Sequence, residues 1–385
     1  MLIFYFTTSL ENNDFNVLQE KWKISLNTSN QCFHNKMIKA LAITNEVHVI
    51  SLRPYNKNLV NGYSTSGFET KKDNITYHYL TISTSKFDLF SYKKETIKII
   101  NKYRNNQSVF ITDTINLKCL LLAKSLSKKY RNPLIGVCTD LPSNITGASK
   151  LYINFIENKT RKLDGYISLT DKLNKFFNKN NKKYLITNGL VDDEINNNTP
   201  SNNKYGNYFF YGGTLLEKFG VYNLIDAFKQ LNNPNYNLVL CGHHYDENAL
   251  QKAINNNSKV YFLGVLPSAK VIELEKNAFA NINPRPTNDE LDELSIPSKT
   301  LEYLNSGKIT ISNNNKLLYE IFADNIIWTQ TNNSDGLLQA MKKVIEMDPE
   351  TKNKIEKSAK EKCLQLYSIN SISQKLNDFL MGFFK

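Results

Sequence analysis

The stretch "NINPRPTNDELDELSIPSKTLEYLNSG", residues 281–307, passes from a short apolar strand through a polar loop into a helix. Pro297 suits the first helical position, where its missing N–H is not needed and its fixed φ fits the helix. Gly307 suits the end of the helix, because glycine tolerates a left-handed backbone. The strand "KITIS" (308–312) follows, so the segment is one strand–helix–strand unit of an α/β sheet.

Short apolar runs alternate with helical patterns along the whole chain. Strands are predicted at 2–6, 46–52, 75–82, 108–113, 133–140, 165–170 and 184–188, and in a second series at 208–213, 236–242, 259–264, 278–284, 308–312 and 325–329. Helices are predicted at 31–43, 90–103, 117–130, 221–231, 268–277 and 297–305, with a helical tail from about 349 to the end. This alternation is typical of mostly parallel sheets with helices on both faces.

The polar segment "VDDEINNNTPSNNKYGN" (191–207) separates the two series, because it is rich in Asn and has no periodicity. We therefore predict an N-terminal domain over 1–195, a linker over 196–207 and a C-terminal domain over 208–365. Residues 366–385 are predicted to form a helix that returns to the N-terminal domain. Two Rossmann-like domains should then face one another across a cleft, with ligands beyond the carboxyl ends of the strands.

Charge is distributed unevenly along the 385 residues. The net charge is +12, and residues 1–200 hold all of it, with 28 Lys and Arg against 16 Asp and Glu. Such asymmetry points to nucleic acid or an anionic membrane surface, although a lysine-rich domain without such a partner explains it equally well. Nucleic acid is disfavoured, because the excess is scattered over an α/β fold that has no recognition motif.

Cysteine usage and hydropathy predict a cytoplasmic protein. The five cysteines are odd in number and form no C-x-x-C pair, which argues against disulfides and against a zinc site. The start "MLIFYFTTSLENND" has too short an apolar run for a signal peptide. No apolar run of about 18 residues predicts a transmembrane helix, so any membrane contact is expected to be peripheral.

Paired glycines follow the first strand of the second series. In "YFFYGGTLLEKFG" (208–220), Gly212 and Gly213 would let the backbone approach a phosphate before the chain enters a helix. A simple tight turn explains the pair equally well. The segment matches neither the G-x-G-x-x-G fingerprint nor a P-loop, so NAD and Walker-type ATP sites are disfavoured.

Arg285 and the first turn of the helix 297–305 form a candidate anion site. Arg285 lies between two prolines at the carboxyl end of a strand, where it could bind a phosphate bidentately. The first-turn N–H groups of Ser298 and Lys299, with the Lys299 ammonium, would strengthen that site. Glu302 shares their face and could accept hydrogen bonds from a ribose diol. The plain alternatives are a surface arginine and an i,i+3 pair of Lys299 with Glu302.

Taken in order, "GG", "NPR" and "PSK-x-x-EY-x-x-SG" resemble the C-terminal domain of glycosyltransferase family 4, retaining enzymes of GT-B fold. The resemblance is closest to bacterial enzymes that build capsule or exopolysaccharide chains, and it covers 205–330. It implies a nucleotide-sugar donor, a UDP-sugar, whose ribose is held by Glu302. The implied diphosphate ligands are Gly212, Gly213, Lys218, Arg285, Ser298 and Lys299. No metal or cofactor is expected.

Three positions of the second half depart from that family's pattern. Leu294 stands where members often carry a glutamate that contacts the transferred sugar, and Glu293 is the adjacent candidate substitute. Thr214 and Phe219 stand where many members carry Arg and Lys, with Lys218 adjacent. The departures leave the identity of the donor sugar open.

Site candidates in the first half are polar residues near predicted strand ends. "CTDLP" (138–142) lacks the histidine that family members carry in this loop, and Asp140 could bind a sugar or simply cap the next helix. Asn30, Gln31 and His34 could contact the acceptor, although a satisfied surface histidine is an equal alternative for His34. The first half is therefore assigned to the acceptor.

Two basic, aromatic stretches, 87–106 and 151–163, could lie on an anionic membrane. For each, a core-facing helix with a solvated lysine face is the favoured alternative. If either stretch binds lipid, the protein would be peripheral on the inner face of the cell membrane.

The sequence thus predicts a retaining hexosyltransferase acting on a glycan or lipid-linked acceptor in bacterial surface polysaccharide synthesis. Lys299 and Arg285 would stabilise the departing diphosphate, and Asp140, Glu293 and Lys299 are the candidate catalytic residues. A non-catalytic glycosyltransferase-like subunit that binds nucleotide or glycan is the alternative, motivated by Leu294 and the missing histidine.

Overall fold

The computed structural model describes residues 1–20, 28–53, 65–82, 88–104, 107–145, 147–193, 204–244, 246–255, 257–287, 292–294 and 296–384. The chain forms two compact units. Unit 1 contains Met1–Asp192 with Ile369–Lys385, and unit 2 contains Asp193–Ser368. Of the predicted linker 196–207, residues 196–203 lie outside the described part of the chain.

Unit 1 contains an eight-stranded sheet in the order β3-β4-β2-β1-β5-β6-β7-β8. Its strands are β1 (Leu2–Thr7), β2 (Glu46–Ser51), β3 (Phe68–Lys72), β4 (Ile75–Tyr79), β5 (Ser108–Asp113), β6 (Leu134–Cys138), β7 (Gly165–Ser168) and β8 (Lys183–Ile186). Among the described strands of this sheet, only β3 pairs antiparallel, with β4. The seven predicted strands are confirmed. β3 was missed because "FETKK" is polar and mostly exposed at the sheet edge, so neither an apolar run nor an alternation marks it.

In the described part of unit 1, six helices lie in the connections between these strands. They are α1 (Asn12–Glu20), α2 (Thr28–Ala42), α3 (Asp88–Tyr103), α4 (Leu117–Tyr130), α5 (Lys150–Thr160) and α6 (Asp171–Phe177). Side-chain caps fix several starts: Asn116 accepts from the Cys119 N–H at α4, and Thr170 accepts from the Leu173 N–H at α6. The buried cluster of this unit packs α2 against the apolar faces of β1, β2 and β5.

Unit 2 contains a six-stranded, fully parallel sheet in the order β11-β10-β9-β12-β13-β14. The strands are β9 (Asn207–Gly212), β10 (Tyr236–Cys241), β11 (Val260–Phe262), β12 (Ala280–Asn283), β13 (Thr310–Ser312) and β14 (Ile327–Trp328). The helices are α7 (Val221–Leu231), α8 (Glu247–Ile254), α9 (Ser268–Asn277), α10 (Ser298–Ser306), α11 (Lys316–Phe322), α12 (Ser334–Glu346) and α13 (Pro349–Tyr367).

The helical tail is not one helix. It breaks at Ser368, which has an extended backbone (φ −60°, ψ 152°), and continues as α14 (Ile369–Met381). Because Ile369, Ile372, Leu376 and Leu380 form a buried apolar stripe, α14 packs against α2 in unit 1, while α13 stays in unit 2. Among the described helices, none is both long and apolar enough to cross a membrane.

Candidate functional site

The sequence-predicted donor residues of unit 2 gather at one edge of its sheet. Gly212 is the last residue of β9, and Arg285 lies two residues beyond β12. β9 and β12 are parallel neighbours, with Asn281 opposite Phe210, so their carboxyl ends meet at the same edge. The loop after β12 then leads into α10, whose first turn carries Ser298 and Lys299.

Close backbone packing fixes the glycine loop at this edge. Gly220 has φ +76°, and a Cβ there would lie 2.0 Å from the Pro284 carbonyl oxygen. Gly242 has φ +132°, and a Cβ there would lie 1.8 Å from the Gly213 carbonyl oxygen. Only glycine fits both positions, so residues 213–220 are held against the ends of β10 and β12.

Tyr303 joins α10 to the end of β9. Its buried hydroxyl accepts a hydrogen bond from the Gly212 N–H at 3.0 Å. Burial raises the pKa of this phenol well above its ordinary value. Sequence reasoning missed Tyr303, although it directly follows Glu302 in the opening stretch.

The side chains of two asparagines in β12 donate hydrogen bonds to α10. The Asn283 side-chain amide donates to Thr300 Oγ1 at 2.8 Å, and that of Asn281 donates to Ser306 Oγ at 3.0 Å. All of these groups except Ser306 are buried. Because the two contacts lie at opposite ends of α10, they fix its axis relative to the strand.

The start of α10 differs by one residue from the sequence prediction. Pro297 is the N-cap, not the first helical residue, because its ψ of 110° is extended, and Ser298 begins the helix. Among the described residues, no side chain caps this end. Without a side-chain cap, the N–H groups of the first turn and the helix dipole together attract anions to this end of α10.

Lys299 and Glu302 share one face of α10 and form an ion pair, with 2.8 Å between Nζ and Oε2. Their side chains are 35% and 26% exposed. Burial alone would lower the pKa of Lys299, but the carboxylates of Glu302 and Glu275 outweigh it, so the pKa lies above its ordinary value. The plain i,i+3 pair is therefore present, on a face that remains open to solvent.

Both cations of the predicted site, Lys299 and Arg285, influence the pKa of the Tyr211 phenol. Burial raises its pKa to about 12, whereas the charges of Lys299 and Arg285 act to lower it. Cys241 at the end of β10 is also influenced by Lys299, and burial raises its pKa to about 12. Lys299 and Arg285 therefore both act on Tyr211, which directly precedes the glycine loop.

Asn313 holds the backbone that carries Arg285. Its buried amide donates to the carbonyl oxygens of Pro284 at 2.9 Å and of Arg285 at 3.0 Å. Thr329 Oγ1 in turn donates to Asn313 Oδ1 at 2.5 Å. Sequence reasoning missed Asn313. Its signal was the polar run "SNNN" (312–315), which begins at the last residue of β13, where a parallel strand ends.

The remaining unit 2 candidates lie on the surface. Lys218 is exposed, and its ammonium lies 5.1 Å from the centre of the Phe219 ring. Glu293 is exposed and the adjacent Leu294 is half-buried. Arg285, Lys299, Glu302 and the glycine loop thus form the defined part of the site.

Two of the unit 1 candidates, Gln31 and His34, are buried and make contacts within the fold. Gln31 is buried, and its amide makes two hydrogen bonds with the backbone of Leu10, at 2.9 and 2.6 Å. His34 is fully buried, so a surface position for it is wrong. Its Nδ1 lies 2.6 Å from the Tyr5 hydroxyl because α2 packs directly on β1.

Two unit 1 candidates keep partial access to solvent. Asn30 is half-buried, and its amide donates to Asp113 Oδ2 at 3.4 Å. Asp140 is exposed at the end of β6 and accepts from the Leu141 N–H at 2.7 Å and the Asn144 amide at 2.6 Å. The alternative that Asp140 caps the next helix is wrong, because Leu141 is the N-cap of the short 3-10 helix Pro142–Asn144, which has no side-chain cap, and Ser149 caps α5.

Chemically, the unit 2 edge combines an anion site with a carboxylate. Two cationic side chains and the start of α10 attract negative charge, and the Glu302 carboxylate can accept hydrogen bonds from hydroxyls. In the described part of the chain, no group of three His, Cys, Asp or Glu side chains is arranged to hold a metal ion.

Residues 192–362 match the family profile described as glycosyl transferases group 1. No curated protein sequence is significantly similar to the chain. The match includes Gly212, Gly213, Arg285, Lys299 and Glu302.

Solved structures resemble the whole chain at low sequence identity. HepE of Anabaena in complex with UDP is 15% identical with a TM-score of 0.70, over 99% of this chain and 100% of that chain. Sucrose-phosphate synthase of Thermosynechococcus elongatus is 11% identical with a TM-score of 0.69, over 100% and 99%. A trehalose-6-phosphate protein of E. coli bound with UDP-2-fluoro glucose is 9% identical with a TM-score of 0.66, over 99% of each. The predicted α/β, two-domain GT-B fold is confirmed.

Proposed function

We propose that the chain is a glycosyltransferase that binds the nucleotide diphosphate of a sugar donor at the sheet edge of unit 2. The observation that carries the proposal is the shared face of Lys299 and Glu302 beside the glycine loop, within the segment that matches a glycosyltransferase profile. A UDP-sugar is the proposed donor, since HepE and the E. coli protein bind UDP or a UDP-sugar.

Each side chain has a distinct proposed role in donor binding. Lys299 and Arg285, with the start of α10, hold the diphosphate and stabilise the charge that develops on it as the sugar leaves. Gly212 and Gly213 allow its close approach, and Glu302 accepts hydrogen bonds from the ribose. The positive charge of this site comes from side chains and a helix terminus, so we propose transfer without a metal or another cofactor.

We further propose that the transfer retains the anomeric configuration of a hexose and extends a glycan or lipid-linked acceptor in bacterial surface polysaccharide synthesis. Asn30 and Asp140 are the better placed acceptor candidates, because both retain access to solvent whereas Gln31 and His34 do not. Asp140, Glu293 and Lys299 remain the proposed catalytic residues.

Peripheral attachment to the inner face of the cell membrane is proposed through α5. Leu151 is 83% exposed on this helix, and Phe155, one turn later, is 43% exposed. Lys150 begins the same helix, Lys162 follows its end, and the Lys159 ammonium lies 4.9 Å from the centre of the Phe155 ring, so apolar insertion and attraction to anionic lipid would act together. In α3, Phe90 is 74% exposed, but Ile100 is buried and Phe87 lies outside the described residues, so α5 is the better supported of the two stretches.

Flotation with phosphatidylglycerol vesicles tests this attachment. We expect the protein to bind at low salt, and Leu151→Asp with Phe155→Asp to abolish binding. Val265→Asp, at an exposed apolar residue of unit 2, is the matched control and should bind as the parent does. Equal binding of all three proteins would reject attachment through α5.

Donor chemistry is tested by calorimetry with UDP, GDP and dTDP, followed by hydrolysis assays with the corresponding sugar nucleotides. We expect UDP to bind and a UDP-sugar to be hydrolysed slowly without an acceptor. Binding without hydrolysis or transfer would favour the non-catalytic subunit, for which Leu294 and the surface position of Glu293 are the motivating observations. Absence of binding by all three nucleotides would reject the proposed donor site.

A further inference from the structure

An open cavity lies along β14, the last strand in the order of the unit 2 sheet. Its volume is about 550 Å³, within the range of about 300–1000 Å³ that ligand sites in proteins have. Residues of α11, of α12 and of the start of α13 form its other sides. The donor residues lie instead on β9, after β12 and on α10, so this cavity is separate from the site already described.

Two aromatic side chains line this cavity. Tyr319 of α11 is 50% exposed, and Trp328, the last residue of β14, is half-buried. Their ring centroids are 5.7 Å apart, with 55° between the ring planes. The Trp328 indole N–H donates to the Ala323 carbonyl oxygen at 2.7 Å, which fixes the ring and uses its one polar group. The apolar ring faces can therefore pack against the C–H groups of a sugar ring.

Polar side chains of both hydrogen-bonding kinds line the same cavity. They are the amides of Asn314 and Gln330, the carboxylate of Asp324 and the ammonium of Lys343, and all four residues are exposed. The two charges are opposite, so this lining does not favour a nucleic acid or another polyanion. Sugar hydroxyls both donate and accept hydrogen bonds, which matches amides and opposite charges set around aromatic rings.

A second cavity extends the first along α12. Its volume is about 360 Å³, it shares Lys343 and Met347 with the first, and it reaches Gln339. We call the two cavities together the β14 groove, and its length suits a chain of sugars. An extended peptide suits it less well, because β14 has only two residues and strand addition needs a longer run of backbone groups.

We propose that the β14 groove binds a neutral glycan, with the rings of Tyr319 and Trp328 packed against its sugars. Glycan binding here goes beyond the proposed donor site and does not depend on it. In a protein that extends a glycan, the groove would hold sugars that are already joined. That role, unlike the binding itself, rests on the proposed function.

Affinity electrophoresis of the full chain tests the groove. Native gels are cast with increasing concentrations of amylose, dextran, galactomannan or hydroxyethyl cellulose. We expect at least one of these neutral polysaccharides to retard the parent. Tyr319→Ala should weaken that binding by about 5-fold or more, because one of the two stacking rings is lost. If none of the four polysaccharides retards the parent, the proposal is overturned.

Tyr261→Ala is the matched control. Tyr261 is 36% exposed on β11, at the opposite edge of the same sheet, and its ring lies 5.1 Å from that of Tyr205 at 59°. The control thus removes an exposed tyrosine from a similar aromatic pair, and it should be retarded as strongly as the parent. Equal retardation of Tyr261→Ala and Tyr319→Ala would place the binding outside the groove and overturn the proposal.

Tryptophan fluorescence reports on the groove without altering it, so the proposal stays testable if Tyr319→Ala folds poorly. The chain has two tryptophans, and Trp22→Phe leaves Trp328 as the single emitter. Oligosaccharides of the retarding polysaccharide should change the Trp328 emission in a saturable way, because a sugar then covers the indole ring. Unchanged emission at saturating oligosaccharide would contradict stacking on Trp328.

UDP calorimetry separates the groove from the donor site. Tyr319→Ala should bind UDP as the parent does, because the groove is lined by other residues than the donor site. If Tyr319→Ala lost UDP affinity and glycan affinity to the same degree, the groove would belong to the donor site, and the proposal would be overturned. Failure of the parent to bind UDP would reject the donor site, while the gels would still decide the groove.

Discussion

The predicted donor residues of unit 2 and the predicted acceptor residues of unit 1 came from the same kind of reasoning, yet their environments differ. Lys299 and Glu302 share a partly open face of α10. Gln31 and His34 lie on the buried side of α2, in contact with Leu10 and Tyr5. Both pairs are polar side chains near the carboxyl ends of strands, so position near a strand end does not by itself identify a site.

The difference arises from what the sequence specifies locally. Within α10, the spacing of Lys299 and Glu302 places both on one face, and Leu301 and Leu304 direct the opposite face to the core. Along α2, the orientation of Gln31 depends on the course of the chain at Leu10, 21 residues away. A local period predicts a shared face, whereas a long-range backbone contact leaves no local signal.

Among the predictions that test this comparison, we expect the largest effect from removal of the charged side chains of the unit 2 site, Lys299 and Glu302. We expect Lys299→Ala to weaken UDP binding by about 30-fold, or 2 kcal/mol, because a partly buried cation that faces a diphosphate is lost. Glu302→Ala should weaken it as well, since the ribose contact is lost. Calorimetry measures both.

Lys270→Ala provides the control for these charges, because Lys270 is a surface cation of α9 that pairs with Glu273. It should leave UDP affinity unchanged. If Lys299→Ala behaves like this control, the donor site is misassigned and unit 2 is no better defined than unit 1.

The glycine loop provides the next largest effect. Gly220→Ala should destabilise the protein by about 3 kcal/mol, because its φ of +76° is strained for alanine and its Cβ would collide with the Pro284 carbonyl. Gly147→Ala is the matched control: its φ is +75°, but no atom lies within 4 Å of the added Cβ. It should cost only about 1 kcal/mol. Equal shifts in thermal unfolding would show that close packing at Gly220 adds nothing.

Sequence reasoning recovered the element order well because strand and helix periods are local. It placed the strand that ends at Gly212 and the helix of Lys299 within a residue or two. It missed Asn313, whose role depends on contacts with residues 28 and 29 positions away. It set the start of the last helix at 366, whereas the helix begins at Ile369, because an extended Ser368 between two helical patterns has no glycine or proline to mark it.

Paired alanine variants of α2 test the unit 1 side of the comparison. Gln31→Ala should lower the free energy of unfolding by about 2 kcal/mol, because the N–H and carbonyl of Leu10 would lose their buried partner. Asn30→Ala should cost about 1 kcal/mol or less, since its 3.4 Å contact with Asp113 is longer and half-exposed. Urea denaturation measures both. A neutral Gln31→Ala that impairs sugar transfer would instead return Gln31 to the acceptor site.

The smallest effect concerns the acid stability of unit 1. Burial lowers the pKa of His34 despite the nearby Asp113 carboxylate, so the folded state binds its proton less readily than the unfolded chain. Stability from neutral His34 is thus fully present above the unfolded pKa of about 6.5 and is lost as pH falls below it. Replacement by a side chain that does not titrate should reduce the acid slope of the unfolding free energy, by at most about 1.4 kcal/mol per pH unit.

Urea denaturation of His34→Asn between pH 7 and 5 measures that slope. The parent should lose more stability than the variant over this range, even if the variant is less stable at pH 7 because the Tyr5 contact is changed. His48 and His78 also have lowered pKa values, that of His78 about 4, and they supply the slope that remains. Parallel profiles for parent and variant would mean that His34 takes up protons equally in both states. Its burial would then carry no penalty, and the contrast with the open face of α10 would lose its energetic basis.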